Sequence, residues 1–359
     1  MHTLGQGESR DGPIGTLGRS GRRLRTNRSA AVLGCCKNLR LCDRQNAGEW
    51  LGGVMTLLLT DGDLDSVAPG DAVAWMLEAL QLRASGALSS PPRVHASLVS
   101  GKIVMTAGQT ATHYGYRVYD TLPTTAGQQI VAVHDASSGD IAAVHVGNKL
   151  GAMRTGALGG VAASLLGPQG PAHLAIIGAG HQAWAQLWAI SGATDIAHVA
   201  ITSRSEDSRK QLAAQAQELG IDARPVSSVR EATEGADIVV LATNSSTPVL
   251  DATWLKDDVL VTTLGPKQVG RAEFDLALLD GATVVTTDSP DQLRAYDPPA
   301  LVADAGLSAG VVDLATLAAA DRGQTESSVR TGRRVYLSVG LAGTEVHMLA
   351  RIYEQRSSA

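Results

Sequence analysis

The sequence predicts an α/β protein in two unlike halves, a mainly antiparallel sheet with helices first and a parallel sheet wound with alternating helices second. Three observations carry this. Between residues 93 and 146, short strand-like runs follow one another at hairpin spacing. From Ala172 onward, apolar runs alternate with helical patterns, which is the signature of a parallel sheet. Between the two patterns stands Gly167-Pro-Gln-Gly-Pro171, whose glycines and prolines break both strand and helix and mark the boundary.

The chain has 359 residues, 44% hydrophobic and 18% charged, an ordinary globular composition long enough to bury a sizeable core. Aromatics are scarce and Phe274 is the single phenylalanine, so that core is expected to be aliphatic. No apolar run approaches the ~20 residues that a bilayer span needs. Residues 1–54 have a different texture, rich in Gly, Arg and Ser and without lasting periodicity. They carry nine Lys/Arg against four acids, which leaves −10 on the remainder of a chain of net charge −5. The expectation is a disordered or non-native leader, with Met55 as the initiator of the folded body. All three cysteines, Cys35, Cys36 and Cys42, lie in the leader, and their spacing lacks the paired C-x-x-C of a zinc site. A cysteine-free body fits a reducing, cytoplasmic compartment.

Taken in order, Thr56-Leu-Leu-Leu-Thr60 reads as the first well-formed element. Asp61-Gly-Asp-Leu-Asp65 is expected to cap a helix over 69–85, with Trp75, Leu77, Leu80 and Leu82 as its apolar positions. Strands follow over 93–99, 102–106, 115–119 and 129–135. A turn at Ser137-Ser-Gly-Asp140 leads into a strand over 141–146. A helix over 149–166 carries Arg154-Thr155-Gly-Ala157. Beyond the linker, strands are expected over 198–202, 236–242, 259–264 and 283–286, and a helix over 208–219. The last stretch, 334–353, reads as strand then helix returning to the first half. The division is thus 1–54 leader, 55–170 first domain, 171–315 second domain and 316–359 return.

The chain is organised around Ala172-His-Leu-Ala-Ile-Ile-Gly-Ala-Gly-His-Gln-Ala183. An apolar strand meets a glycine turn, Gly178-x-Gly180-x-x-Ala183, and a helix follows. Gly178 allows the tight turn, Gly180 lets a pyrophosphate approach the backbone, and Ala183 lets the helix pack on the strand. The free N–H groups of the helix start favour phosphate. The second half is therefore a Rossmann dinucleotide-binding domain, with Gly178, Ala179, Gly180, His181 and Gln182 at the cofactor. Strand carboxyl ends face the ligand crevice, which adds Thr243 and Asn244 for ribose contacts. Ser245, Ser246 and Thr247 follow them, but no G-x-S-x-G or Ser/His/Asp order points to a hydrolase. His113, His134, His145 and His181 have no metal-ligand spacing, so no metal is expected. The acid that would hold a ribose 2′-hydroxyl should close the second strand. That strand instead runs into Ser203-Arg204-Ser205, with no acid until Glu206. A 2′-phosphate suits Ser203 and Arg204, so NADP(H) is preferred and NAD(H) is the second choice.

Ordered pieces across 55–355 resemble the ornithine cyclodeaminase/mu-crystallin family. They are Pro91-Pro-Arg-Val-His-Ala96, Met105-Thr-Ala107, Gly115-Tyr-Arg-Val-Tyr-Asp-Thr-Leu-Pro123, Met153-Arg-Thr-Gly-Ala157 and the glycine turn. Ala236-Asp-Ile-Val-Val-Leu-Ala-Thr-Asn244, Leu264-Gly-Pro-Lys-Gln-Val-Gly-Arg-Ala-Glu273 and Ser338-Val-Gly-Leu-Ala342 complete the set. The resemblance implies a homodimer; no membrane or nucleic-acid partner is expected. It also implies an α+β substrate and dimerisation domain built from both chain ends beside the Rossmann domain. The shared chemistry is hydride transfer between nicotinamide and the Cα of an amino or imino acid.

By the resemblance, Arg93 and Arg154 bind the substrate carboxylate, and Thr155 and Gly265 lie at the cofactor. A guanidinium fork fits a carboxylate and keeps its charge. Two departures stand out. Arg117 occupies the place of a lysine that binds carboxylate and relays protons, and arginine can do only the first. Lys267 occupies the place of a cyclodeaminase aspartate that works on the substrate amine. Three readings result: an NAD(P)H-dependent imine reductase or amino acid dehydrogenase, a cyclodeaminase with catalytic NAD, and a non-catalytic NADPH-dependent binding protein. If Arg93, Arg117, Arg154 and Lys267 share one pocket, their repulsion calls for a substrate with two carboxylates. Lys267 would then pair the second carboxylate or protonate the imine nitrogen.

Overall fold

Residues 48–51, 54–123, 127–320 and 327–358 are described in the computed structural model. The expectations for the leader before residue 48, including its cysteines, lie outside the described residues. The first half supplies β1 (Gly48–Leu51), β2 (Val54–Thr60), α1 (Pro69–Ala84), β3 (Val94–Leu98), β4 (Gly101–Gln109), β5 (His113–Asp120), β6 (Gln129–Asp135), β7 (Ile141–Gly147) and α2 (Lys149–Leu166). The second supplies β8 (Ala172–Ile177), α3 (His181–Ser191), β9 (Ile196–Thr202), α4 (Glu206–Glu218), β10 (Ala223–Pro225), α5 (Val229–Thr233) and β11 (Ile238–Leu241). Then come β12 (Val259–Thr263), β13 (Lys267–Gln268), β14 (Arg271–Ala272), β15 (Ala282–Thr287), α6 (Pro290–Arg294), α7 (Leu301–Asp304) and β16 (Val312–Asp313). The chain closes with α8 (Leu314–Ala319), β17 (Arg333–Leu337) and α9 (Thr344–Ser357).

The first sheet has the order β1-β2-β7-β6-β5-β4-β3, antiparallel except where β2 runs parallel to β7. Its inner face packs on α9, and α1 and α2 lie against each other and against α9. Met76 and Leu80 of α1 and Leu150, Met153 and Leu158 of α2 are fully buried there. Shortening any of the leucines to alanine costs roughly 2–5 kcal/mol, because a close-packed core collapses only partly around the void. The second sheet has the order β10-β9-β8-β11-β12-β17-β15-β16, with every pair parallel. Strands buried on both faces need continuous apolar runs, and Ile238-Val-Val-Leu241 is wholly buried. The chain winds outward from β8 through β9 to β10, then returns to the other side of β8 with β11. The crevice for a ligand therefore opens at the β8 and β11 carboxyl ends. α2 joins the two sheets by lying on α3, and a Cβ on Gly156 would stand 2.2 Å from the Ala185 carbonyl oxygen.

Three expectations are corrected. Residues 48–51, placed in the leader, form β1 and pair with β2 from Gly48↔Leu57 to Leu51↔Val54. Backbone pairing needs no apolar periodicity, which is the signal the leader lacks. The acidic run at 61–65 does not cap α1. It forms its own 3-10 turn (Asp61–Ser66), and α1 starts at Pro69 with no side-chain cap. Asp61 caps a different helix, accepting from the Asn148 and Lys149 amides at 3.0 and 2.8 Å at the start of α2. Finally, the segment expected to return as a whole to the first sheet divides. β17, with Val335, Tyr336 and Leu337 fully buried, is inserted between β12 and β15, and α9 alone packs on the first sheet. Among the described residues no helix is long and apolar enough to cross a membrane.

Candidate active site

The glycine turn brings the end of β8 against β11. Gly178 has φ +112°, and a Cβ there would sit 2.2 Å from the Ala242 carbonyl oxygen, so no larger residue fits. Gly180 is the opposite case: nothing lies within 4 Å of its Cβ direction, which faces open space. It is the N-cap of α3, whose start has no side-chain cap, so the first-turn amides are available to an anion. Ala183 is fully buried and seats the helix on the sheet.

A cleft of about 800 Å³ runs along this turn, lined by Gly178, Ala179, Gly180, Ser203, Arg204, Thr243 and Asn244. A second cavity of about 560 Å³ continues past His181, Gln182, Thr243, Asn244 and Gly265 toward Gln129 of β6 and Asn148 at the start of α2. The two share Gly180, Ala242, Thr243 and Asn244, so they adjoin along the glycine turn. Thr155 is the exception among the expected cofactor residues. It lines neither cavity, and its hydroxyl donates to the Gly151 carbonyl at 2.9 Å inside α2. It lies deeper along the helix than Ala152, which does line the second cavity. Ser245, Ser246 and Thr247 line the larger cleft, and the Ser245 hydroxyl donates to the Thr247 carbonyl at 2.6 Å within a local turn.

The cations and three buried carboxylates meet behind the second cavity. None of the seven lines it, but Lys267 donates to the carbonyl of its Gly265 and Arg117 to the side chain of its Gln129. Arg93 lines a separate pocket of about 110 Å³ with Pro91, Ser289 and Gly340. Glu273 is fully buried and accepts from the Thr243 amide at 3.0 Å, the Thr243 hydroxyl at 2.8 Å and the Gly265 amide at 2.6 Å. Burial pushes its pKa up against those hydrogen bonds. Lys267, in the short β13–β14 hairpin, is 3% exposed, and its Nζ donates to the Gly265 carbonyl at 2.7 Å. Loss of water brings its pKa down to about 8, against the opposing pull of Glu273 and Asp288, and Arg93 adds a smaller push in the same direction. Repulsion by the neighbouring cations, the cause expected from sequence, is the lesser one.

Asp288 follows β15 and is fully buried. It accepts the amides of Val339, Gly340 and Leu341 at 2.8, 2.9 and 3.1 Å. The same loop turns its carbonyls to Arg93, whose Nη2 donates to Val339 at 2.5 Å and Gly340 at 2.9 Å. A Cβ on Gly340 would lie 2.7 Å from Arg93 Nη2 and 3.3 Å from Arg154 Nη1, so the two guanidiniums converge on one spot. Arg154 is 4% exposed, and its Nε and Nη1 have no partner among the described residues. Buried, unpaired guanidinium donors are a receptor for an anion.

Arg117 is held further back. It donates to Gln129 Oε1 at 2.8 Å, lies over the Tyr119 ring and reaches Glu345 Oε1 at 2.5 Å. Glu345, in the first turn of α9, also accepts from Arg154 Nη2 through that same oxygen. It is 1% exposed, and the two arginines hold its carboxyl at a pKa of about 2 against the effect of burial. The predicted picture of four uncompensated cations is therefore corrected. Glu273, Asp288 and Glu345 share the site, and the formal charge of the seven groups is +1.

The model of the ornithine cyclodeaminase/mu-crystallin family matches residues 62–359. The chain belongs to this family. The alanine dehydrogenase of Archaeoglobus fulgidus is 26% identical over 320 residues, 84% of this chain and 96% of its own length. The ketimine reductase mu-crystallin of Mus musculus is 28% identical, with 64% of this chain and 70% of its own length covered. The Δ1-pyrroline-2-carboxylate reductase of Thermococcus litoralis, solved with NADH and L-proline, has the same fold. It gives a TM-score of 0.74 at 24% identity, with 84% of this chain and 98% of that one covered.

Residues missed from sequence are the site's carboxylates in their roles, and Arg209. Arg209 donates to the Ser203 carbonyl at 3.0 Å and so stands beside Ser203 and Arg204 at the adenosine end. A signal for Asp288 existed: it directly follows the apolar strand 282–287, at a carboxyl end where ligands bind.

Proposed function

We propose that the protein is an NAD(P)H-dependent imino acid reductase, acting in either direction between a 2-imino acid and its 2-amino acid. The convergence of Arg93 and Arg154 beside Lys267, at the Gly265 end of a dinucleotide cleft, carries this reading. Bound nicotinamide cofactor supplies the hydride. The α3 amides, Gly180, Thr243 and Asn244 would hold the cofactor, and Gly265 would border its nicotinamide end. Arg154, through its unpaired Nη1, and Arg93 would take the substrate carboxylate. Their fork fixes the plane of the adjoining Cα and so the face it offers. Lys267 would give a proton to the imine nitrogen. With a pKa near 8 it is charged at neutral pH yet a far better acid than an exposed lysine. A cyclodeaminase needs an acceptor at this position, and an ammonium cannot accept.

NADP(H) is the preferred cofactor in this reading. Arg204 borders the cleft, and Glu206, the first acid along the chain after β9, is engaged by Lys210 at 2.7 Å. The working form is a homodimer. The outer face of the first sheet exposes Val94, Ile103, Met105, Tyr114, Tyr116, Ile130 and Val146, too large an apolar surface for a solvated sheet.

The test is oxidation of NADPH and NADH with a cyclic imino acid such as Δ1-pyrroline-2-carboxylate, and, in a parallel assay, ammonia release from an open-chain diamino acid such as L-ornithine with NAD+ or NADP+. Stoichiometric cofactor consumption without ammonia release is expected. Ammonia release with cofactor unconsumed would replace this reading by the cyclodeaminase one.

A further inference from the structure

Among the described residues, Glu345 is the acid that pairs with arginines of this site. Its Oε1 takes a hydrogen bond from Arg117 Nη1 at 2.5 Å and another from Arg154 Nη2, and its Oε2 has no partner among the described residues. The other two carboxylates of the site are differently employed. Glu273 is taken up by the amides of Thr243 and Gly265, and Asp288 by those of Val339, Gly340 and Leu341. Among the described residues neither forms an ion pair with an arginine, whereas Glu345 pairs with two. Arg154 spends Nη2 on Glu345 and keeps Nη1 and Nε unpaired. Glu345 thus fixes which edge of that guanidinium remains for a ligand and cancels one of the two positive charges behind it.

We propose that Glu345 is the specificity-determining residue that limits the arginine group to one substrate carboxylate. This rests on the reading of Arg93 and Arg154 as the carboxylate receptor. With Glu345 in place, Arg117 and Arg154 together present one net positive charge, Arg93 and Lys267 are offset by the neighbouring Asp288 and Glu273, and a single carboxylate matches the remaining +1. A second carboxylate on the substrate would meet the buried Glu345 charge behind the arginines. With that charge removed, Arg117 is released and the pair presents two positive charges, which a dicarboxylate satisfies better.

The experiment reads binding, so it does not depend on turnover. Dissociation constants of pyrrole-2-carboxylate and malonate are measured by calorimetry on the NADPH-saturated protein. The proteins are wild type, Glu345→Gln and the charge-conserving Arg117→Gln/Glu345→Gln double variant. Wild type is expected to prefer the monocarboxylate. Glu345→Gln is expected to shift the ratio of the two constants toward malonate by about tenfold. The double variant, which removes one charge of each sign, is expected to return the ratio close to wild type. It also relieves Glu345→Gln of an unpaired buried arginine, so it keeps the comparison alive if the single variant folds poorly. In that event the proposal stands only if the double variant keeps the monocarboxylate preference. A purely structural role would weaken both ligands alike. A ratio within twofold of wild type in folded Glu345→Gln overturns the proposal, as does a shift that the second substitution fails to reverse. If wild type binds neither ligand, the carboxylate receptor itself is refuted and this proposal falls with it. If it binds them with the expected ratios and yet reduces no imino acid, the reductase reading fails and the role of Glu345 stands.

Discussion

Replacing Lys267 by methionine separates what this lysine costs the fold from what it does in the site. The ammonium is 3% exposed and donates to the Gly265 carbonyl at 2.7 Å. The drop from lysine's ordinary 10.5 to about 8 corresponds to roughly 3 kcal/mol, at about 1.4 kcal/mol per tenfold change in proton affinity. The sign follows from where the proton sits. Below pH 8 folded and unfolded chains both hold it, and the folded state carries the whole penalty. Between about 8 and 10.5 the folded state has released the proton and the unfolded chain has not, so stability rises with pH. Above that window the penalty is gone. Methionine has a similar shape and no charge. Lys267→Met is therefore expected to be more stable than wild type at pH 7 by ~2 kcal/mol, after ~1 kcal/mol for the lost hydrogen bond. That advantage should shrink steadily toward pH 10. Urea denaturation at pH 7, 8.5 and 10 measures it. Catalysis should move the other way, with kcat down by about a hundredfold or more and NADPH affinity unchanged. A stability difference that stays flat with pH would show that the charged lysine is not buried as described. A kcat that survives the substitution would remove it as the proton donor.

Arg204→Ala is expected to raise the dissociation constant for NADPH by about tenfold and leave that for NADH nearly unchanged. An unaltered ratio in fluorescence titrations would take Arg204 out of cofactor selection. Gly180→Val should abolish cofactor binding while leaving the melting temperature within a few degrees, because its Cβ enters open cleft and meets no protein atom; retained NADPH binding would mean that the pyrophosphate lies elsewhere. Tyr116→Glu, on the exposed face of the first sheet, is expected to turn a dimer into monomers in sedimentation analysis, and an unchanged mass would place the interface on another surface.

Local patterns made much of this molecule legible in advance. Helix α2 and strand β6 have their expected bounds, because each combines a full period of apolar residues with a breaker at its end, Gly167 for the helix and the Asp135 turn for the strand. Asp135 accepts the Ser137 and Ser138 amides at 2.8 and 2.9 Å, the hairpin device that the Ser-Ser-Gly-Asp run announces. The glycine turn was equally readable, since each of its positions has a steric reason. The arginines stood out through the motifs that contain them. What the sequence hid was pairing over long separations. Glu345 lies 191 residues from Arg154 and 228 from Arg117. It sits in Thr344-Glu-Val-His-Met-Leu-Ala350, where a lone acid reads as an ordinary first-turn residue that favours the helix dipole. Asp61 misled for a related reason: its spacing to the next helix suited a cap, but the start of α2 comes closer in space.

The three carboxylates also explain how so many charges are tolerated away from water. A buried charge is costly unless it is hydrogen-bonded or paired; Glu273 and Asp288 are held by backbone amides on both oxygens, and Glu345 by two guanidiniums on Oε1. Glu273 ties the ends of β11 and β12 together through the Thr243 and Gly265 amides, and the carbonyl of Gly265 then receives Lys267. Asp288 gathers three amides of the loop after β17, and two carbonyls of that loop receive Arg93. In both cases the anion binds N–H groups on one side of a loop, and the cation binds C=O groups on the other. The cations are thereby set by the ends of sheet strands and not by their own long, flexible side chains. An arginine fixed in this way loses little further freedom when a carboxylate arrives, so more of the ion-pair energy is left for binding and for holding the Cα in place. Weakening an anion should then loosen the cation it never touches: Asp288→Asn is expected to raise KM for the imino acid several-fold through Arg93, with cofactor affinity unchanged.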